Sequence, residues 1–369
     1  MGEAYASMTP TAENDATPTL IPWLVRIPEI FEGIAGNVLK RFGAASQTKL
    51  GHDYYLIKTS KPKTIRESEA GKFVRWNLPM DHTWPCNPHK MDGFIEKAAQ
   101  TLLKKFGERK PQGIFIGLLN PGSPDRYYKS LASNLRGRLL QVFPKTTTPV
   151  TVEEQNPNAE TLYCLIGKEG MFCGMQSPRA SNGLYAGGSK FVDKDSPDTI
   201  SRAGAKIAEA LHYLLMYRPA LKPGTHWLEL GACPGGMTSE LLVREQKVTA
   251  IDRAPLDKRL DNKPGLTFVQ ADVATFEPPA GASYDAILSD MNGPPEESIG
   301  QVIRLSRHLK KQGLIVFTLK LPRVETVEEP CDLFREIVAE ANDAGLNLIA
   351  QTHLTYNRHE FTLFFEKGK

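Results

Sequence analysis

With 369 residues, 41% of them hydrophobic and 24% charged, the chain is too long for a typical single domain and too apolar for a disordered one. No apolar run approaches a membrane span, and the N-terminus has no hydrophobic signal core. The net charge of +3 hides an uneven spread: residues 101–150 carry nine Lys/Arg against two acids, whereas 201–369 is near neutral. Such a basic stretch beside a neutral one points to a polyanionic partner. The five cysteines (Cys86, Cys164, Cys173, Cys233 and Cys331) are odd in number and lack CxxC or zinc-ligand spacing. That usage suits a reducing cytoplasm and predicts no metal site.

Residues 1–19 are small, polar and rich in Pro and Thr, an expected disordered tail whose Glu3, Glu13 and Asp15 argue against a mitochondrial presequence. From Leu20 to about Lys72 the pattern predicts a small α+β unit. Trp23–Ile27 is a strand, Ile30–Phe42 an amphipathic helix, Asp53–Lys58 a second strand and Lys58–Lys72 a charged loop. A second unit is expected over 73–192. It has a helix at Met91–Phe106, a strand at Gly113–Leu119 and a basic helix at Asp125–Phe143. The runs 161–166 and 171–175 then form a hairpin, and Ser177–Ser189 reads as loop. Ser189–Ile200 reads as a linker, and 193–369 as the third unit.

In that third unit strands and helices alternate. Helix Arg202–Tyr217 precedes strands at 227–230, 248–252, 266–269, 284–288 and 314–320; helices are expected at 297–310 and 327–344, and two last strands at 346–354 and 361–365. Alternation of this kind predicts an α/β fold with a doubly wound, mostly parallel, seven-stranded sheet; the short link between the last two strands makes one of them antiparallel.

Gly231-Ala232-Cys233-Pro234-Gly235-Gly236 follows the apolar run Trp227–Leu230, so a buried strand breaks into a glycine loop that opens a helix. Glycines let a ligand approach the backbone, and a helix N-terminus offers free amide donors. A dinucleotide fingerprint needs glycine where Cys233 stands, and no Walker Lys-Ser pair is present. The loop of an S-adenosylmethionine (AdoMet) methyltransferase remains. In such sheets the ligand lies beyond the carboxyl ends of the strands. Asp252 is placed there to bind ribose hydroxyls, Asp272 to accept from the adenine amine, and Glu229 to reach the methionine amino group or order water.

Lys206, on the helix before the glycine strand, Asp290 and Lys320, at the ends of the fourth and fifth strands, and Glu360, at the start of the last, can meet at one rim if that last strand is antiparallel. Lys320 is the best base or oxygen-steering group, oriented by Asp290 and Glu360, while Lys206 holds the target nucleotide or the developing oxyanion. Electrostatic grip on the polyanionic partner is expected from Lys104, Lys105, Arg126, Lys129, Arg136 and Arg138, continued by Arg202; Tyr127 and Tyr128 are candidate stacking groups, should that partner be a nucleic acid, beside the plainer reading as packed tyrosines.

The Lys206, Asp290, Lys320, Glu360 set resembles the K-D-K-E tetrad of FtsJ/RrmJ-type ribose 2′-O-methyltransferases. Gly231–Gly236 resembles their GAxPGG loop, and Ser201-Arg202-Ala203 their serine-arginine lead-in. The GACPGG form and the order of the N-terminal units, ferredoxin-like over 20–72 then THUMP-like over 73–192, are similar to the RlmM family. Pro28-Glu29-Ile30-Phe31-Glu32 resembles that family's Pro-Gly-Phe-Glu start. The sequence departs from the family at Glu229, where Asp is usual, at Met237, where Trp is common, and at Asn292-Gly293-Pro294. The resemblance implies an AdoMet-dependent, metal-free, monomeric cytoplasmic enzyme that methylates a cytidine ribose of 23S ribosomal RNA, free or in a ribosomal precursor. The same chemistry on tRNA or an mRNA cap, and an inactive RNA-binding assembly protein, are the competing readings. A cap enzyme would need a guanine-stacking pocket, for which no sequence signal is present; a decayed enzyme would have lost a lysine of the set. An NAD oxidoreductase is the weakest alternative.

Overall fold

The computed structural model describes residues 19–143, 151–190 and 200–368. The expected tail apart from Thr19, most of the linker, and Lys145 of the basic stretch lie outside them. Three sheets follow one another along the chain. The first comprises β1 (Ile21–Arg26), β2 (Ala44–Leu50), β3 (Tyr54–Thr59) and β4 (Trp76–Pro79), antiparallel in the order β2-β3-β1-β4. Helix α1 (Glu32–Arg41) covers one face, and the expected loop at 58–72 contains the helical turn α2 (Thr64–Glu67). The expected boundary between residues 72 and 73 therefore falls inside this sheet, because β4 lies beyond it and pairs with β1.

The second sheet has the order β5-β8-β7-β6: β5 (His82–Pro85), β6 (Ile114–Leu118), β7 (Thr161–Gly167) and β8 (Gly170–Gln176). Helices α3 (Phe94–Phe106) and α4 (Tyr127–Val142) cover one face through Ala98, Leu102, Leu135 and Leu139. Alternation sorts each strand's residues between faces. Leu24, Tyr54, Trp76 and Leu78 of the first sheet meet Phe115, Tyr163 and Phe172 of the second, whereas Val25 and Ile57 face the other way. The first sheet is thus held between the second sheet and the rest of the chain. A helical turn, α5 (Pro178–Ser181), opens the expected loop at 177–189.

The third sheet has seven strands in the order β11-β10-β9-β12-β13-β15-β14. They are β9 (His226–Leu230), β10 (Lys247–Asp252), β11 (Leu266–Gln270), β12 (Tyr284–Ser289), β13 (Leu309–Lys320), β14 (Leu346–Thr352) and β15 (Glu360–Lys367). The first five are parallel, and β15 runs antiparallel to both of its neighbours, β13 and β14. Trp227, Ala250, Leu288 and Val316 face α6 (Ala203–Leu214) and α7 (Gly236–Val243). Leu228, Ile251, Ile287 and Phe317 face α8 (Pro295–Leu305), α9 (Glu328–Asp343) and the N-terminal unit. Phe31 and Phe73 pack on Phe361, with ring centroids 5.8 and 5.6 Å apart, so one core spans both halves of the chain.

Candidate active site

The antiparallel course of β15 assembles the site. It sets Glu360 directly opposite Lys320 in the strand register, at the rim where Asp290 directly follows β12. Lys320 Nζ donates to Asp290 Oδ1 at 2.7 Å and to Glu360 Oε2 at 2.8 Å. Lys206 Nζ, from α6, hydrogen-bonds Glu360 Oε1 and lies 3.5 Å from Asp290 Oδ2. Two amines and two carboxylates thus alternate in a closed ring. Glu360 is its most buried side chain, at 5% exposure, and Lys320 its most accessible, at 25%. Burial pulls the Lys320 ammonium toward losing its proton, but Asp290 and Glu360 outweigh it and raise its pKa above the ordinary value. Burial likewise opposes ionisation of Glu360, and the two lysines outweigh it, leaving that carboxyl below its usual range.

Beside the ring opens a cleft of about 380 Å³ at the carboxyl ends of β9, β10, β11 and β12. Glu229, Gly231, Cys233, Pro234, Gly236, Asp252, Asp272 and Asp290 line it, so Asp290 belongs to both cleft and ring. Gly231 has φ +78°, and a side chain there would meet the Met291 backbone at 3.0 Å. Gly235 turns away: a Cβ would strike Leu260. At Gly236 a Cβ would strike Ser201 Oγ, so this glycine also permits the close approach of the segment leading into α6. Asp252 ties the loop to the sheet, accepting from Cys233 N at 2.9 Å and Ala254 N at 2.8 Å. Asp272 accepts from Ala274 N and from Arg253, which together hold its carboxyl below the usual range. Each carboxylate oxygen has a second lone pair for a ligand.

Glu229 lies on the α6/α7 face of β9, 2% exposed, and accepts from Thr238 Oγ1 at 2.7 Å. Burial, only partly offset by that bond, pushes its pKa up to about 8. Unfolded, the group titrates near 4.5, so between these values the folded protein holds a proton that the unfolded chain has lost. Stability therefore falls as pH rises through that window. Glu229→Gln is expected to flatten the fall, read as thermal midpoints at about pH 5.5 and about pH 8; parallel pH dependences in parent and variant would refute it.

The sequence reading did not single out Thr238, Arg253, Met291 or Asn292 as parts of the site. The last two follow Asp290 directly, so the strand-end rule could have included them; Thr238 has no signal short of its contact with Glu229. The RNA-binding candidates Lys104, Lys105, Arg126, Lys129 and Arg136 are exposed on or beside α3 and α4, and Arg202 is exposed at the start of α6. Arg138 is engaged by Glu96 at 2.7 and 3.1 Å, and Arg136 Nε donates to Ile114 O at 3.2 Å. Tyr127 and Tyr128 are packed tyrosines rather than open platforms: their hydroxyls bond Pro88 O and Asn87, and the Tyr127 ring lies on His89.

Strand order, glycine loop and acid-lined cleft define a Rossmann-like methyltransferase domain, and the cleft's cradle and acids fit AdoMet. Residues 199–329 match the model of the FtsJ-like methyltransferase family, a span that includes Lys206, Asp290 and Lys320 but ends before Glu360. Relatives named ribosomal RNA large subunit methyltransferase M include one from Laribacter hongkongensis, 33% identical over 46% of this chain and 48% of its own length. Another, from Shewanella loihica, is 27% identical over 58% and 59%. The chain spans about half the length of the curated relatives it matches.

Proposed function

We propose that the protein is an AdoMet-dependent ribose 2′-O-methyltransferase of ribosomal RNA, acting on a cytidine of the large-subunit RNA as a cytoplasmic monomer. The observation that carries this is the alternating ring of Lys206, Asp290, Lys320 and Glu360 at the mouth of the cleft. The names of the relatives support the RNA target.

The cleft residues Asp252, Asp272 and Glu229 would hold AdoMet, which supplies a methyl group activated by its positive sulfur. A ribose hydroxyl is a weak nucleophile: as its oxygen bonds the methyl carbon and the carbon–sulfur bond breaks, its proton must leave, so the protein has to align the oxygen and let that proton pass to the Asp290 carboxylate or to solvent. Lys320 is charged, accessible and fixed by two carboxylates, which suits it to steer the hydroxyl oxygen by donating to it. Lys206, anchored by Glu360 and Asp290, adds a second cation for the nucleotide. The test is to incubate the protein with labelled AdoMet and ribosomal RNA, map ribose methylation, and use Lys320→Ala as control. Label in tRNA or capped message alone would reassign the substrate, and no label in any RNA would overturn the activity.

The second unit supplies the RNA grip in this reading, as a THUMP-like module following a ferredoxin-like one. Removing residues 20–192 is a poor test, because it strips Phe31 and Phe73 from the shared core. Lys104→Glu/Lys105→Glu is the better one. RNA affinity should fall, and the log–log salt slope should flatten by about 0.7–0.9 for each phosphate that the lysines no longer neutralise. Unchanged affinity and slope would remove these lysines from the interface.

A further inference from the structure

We propose that Arg75, a residue of the N-terminal unit, is a positioning residue for the catalytic ring: its guanidinium fixes Glu209 and the end of β14, and these set the loop that delivers Glu360. The inference rests on the ribose-methylation reading of that ring.

Arg75 and Glu209 are buried, with side chains 3% and 2% exposed, and they form an ion pair. Arg75 Nη1 also donates to Thr352 Oγ1 at 2.8 Å, and Nη2 to Gly188 O at 2.6 Å. The Gly188 carbonyl reaches it because Gly188 has φ +77° and lies against Trp76, where a Cβ would come within 2.9 Å. One guanidinium therefore joins four parts of the chain: the edge of β4, the segment after β8, helix α6 and strand β14.

Glu209 passes this constraint on. Its Oε2 accepts from Thr355 N and its Oε1 from Thr355 Oγ1, both at 2.8 Å. Thr355 lies midway along the loop 353–359, which links β14 to Glu360. Two further ties hold that loop. His353 Nε2 donates to Arg358 O at 2.9 Å while its ring packs on Phe31, and Asn357 Nδ2 donates to Glu360 O and to Thr362 Oγ1. Glu209 also stands one helical turn beyond Lys206, so α6 carries both a ring member and the anchor of the loop that brings another.

Stability alone is a weak reason for this pair. A buried ion pair is often no more stabilising than apolar side chains of similar volume, whereas its fixed geometry specifies position. Position matters here because both Glu360 oxygens are engaged, one by each lysine; displacing the carboxylate loosens both amines together.

The test uses the full chain with Arg75→Gln/Glu209→Gln, which leaves no unpaired buried charge, and with Thr355→Val as the milder variant. AdoMet affinity and RNA KM are expected to stay within about threefold of the parent. The single-turnover rate should fall about 30-fold in the double variant and about threefold in Thr355→Val, in line with the cost of small misplacements at a reacting centre. Hydrogen exchange of the peptide carrying the Thr355 amide should quicken at least about tenfold in the double variant. A double variant that transfers methyl at the parent rate overturns the proposal, as does a loss confined to KM or to cofactor affinity. Should the double variant not fold, a parental rate in Thr355→Val overturns it instead. If the parent itself methylates no RNA, the activity reading fails on its own, and the exchange measurement still decides whether Arg75 sets this loop.

Discussion

Lys320→Ala is expected to reduce single-turnover methyl transfer by at least about 10²-fold while AdoMet still binds, because removing one donor aimed at developing negative charge costs about 10²–10³ in rate. The side chain ends β13, a strand whose preceding residues Leu314–Leu319 are buried, so its backbone is rigid and its amine is aimed at the rim. Asp290 and Glu360 hold that amine at 2.7 and 2.8 Å and keep it charged against the opposing pull of burial. The sign of the pH response follows. A group whose pKa is raised above the ordinary lysine value stays protonated from about pH 6 to about pH 9. If the ammonium steers the oxygen, the transfer rate is flat across that range; if Lys320 must first lose its proton, the rate climbs about tenfold per pH unit. A flat profile with loss of transfer in the alanine variant supports the steering role. Near-parental transfer by Lys320→Ala with intact AdoMet binding would falsify a role for Lys320 in the chemistry.

The second large effect is structural. Phe361→Ala is expected to destabilise the protein by about 3–5 kcal/mol, the usual cost of truncating a buried phenylalanine. Phe361 is 1% exposed and packs against Phe31 and Phe73, which are themselves buried. The cavity would therefore open between the N-terminal unit and the seven-stranded sheet. Since the core is shared, the parent should melt in one cooperative calorimetric transition covering both halves. Two well-separated transitions in the parent, or a thermal midpoint unmoved in Phe361→Ala, would contradict a common core. Activity should suffer as well, because Glu360 is the neighbouring residue and its carboxylate is the most buried member of the ring.

Much of the C-terminal half was readable from local pattern. The seven strands lie at the expected places, although no α-helix separates β10, β11 and β12 and the helix expected over 297–310 ends at Leu305, before β13; Asp252, Asp290 and Lys320 could be assigned to one rim because each ends or directly follows a parallel apolar strand. Even Glu360 followed, from the short link that makes β15 antiparallel. The N-terminal half was less legible. Strand β2, Ala44–Leu50, is mostly exposed at the edge of its sheet and lacks an alternating apolar face, and β4 and β5 are four residues each with prolines at their ends. Such segments take their conformation from their neighbours, so propensity says little about them.

Periodicity, glycine placement and strand-end charges are short-range properties; they suffice for the seven-stranded sheet, the glycine loop and the four ring residues. Pairings across large separations leave no periodic trace. Arg75 meets Glu209 134 positions away, and Phe31 packs on Phe361 across nearly the whole chain. Glu229 looks like any strand acid until Thr238 and a closed core surround it, and its protonation depends on that enclosure. Folding brings these groups together and removes water from between them; desolvation and distance, neither encoded in any one segment, then set their charge and orientation.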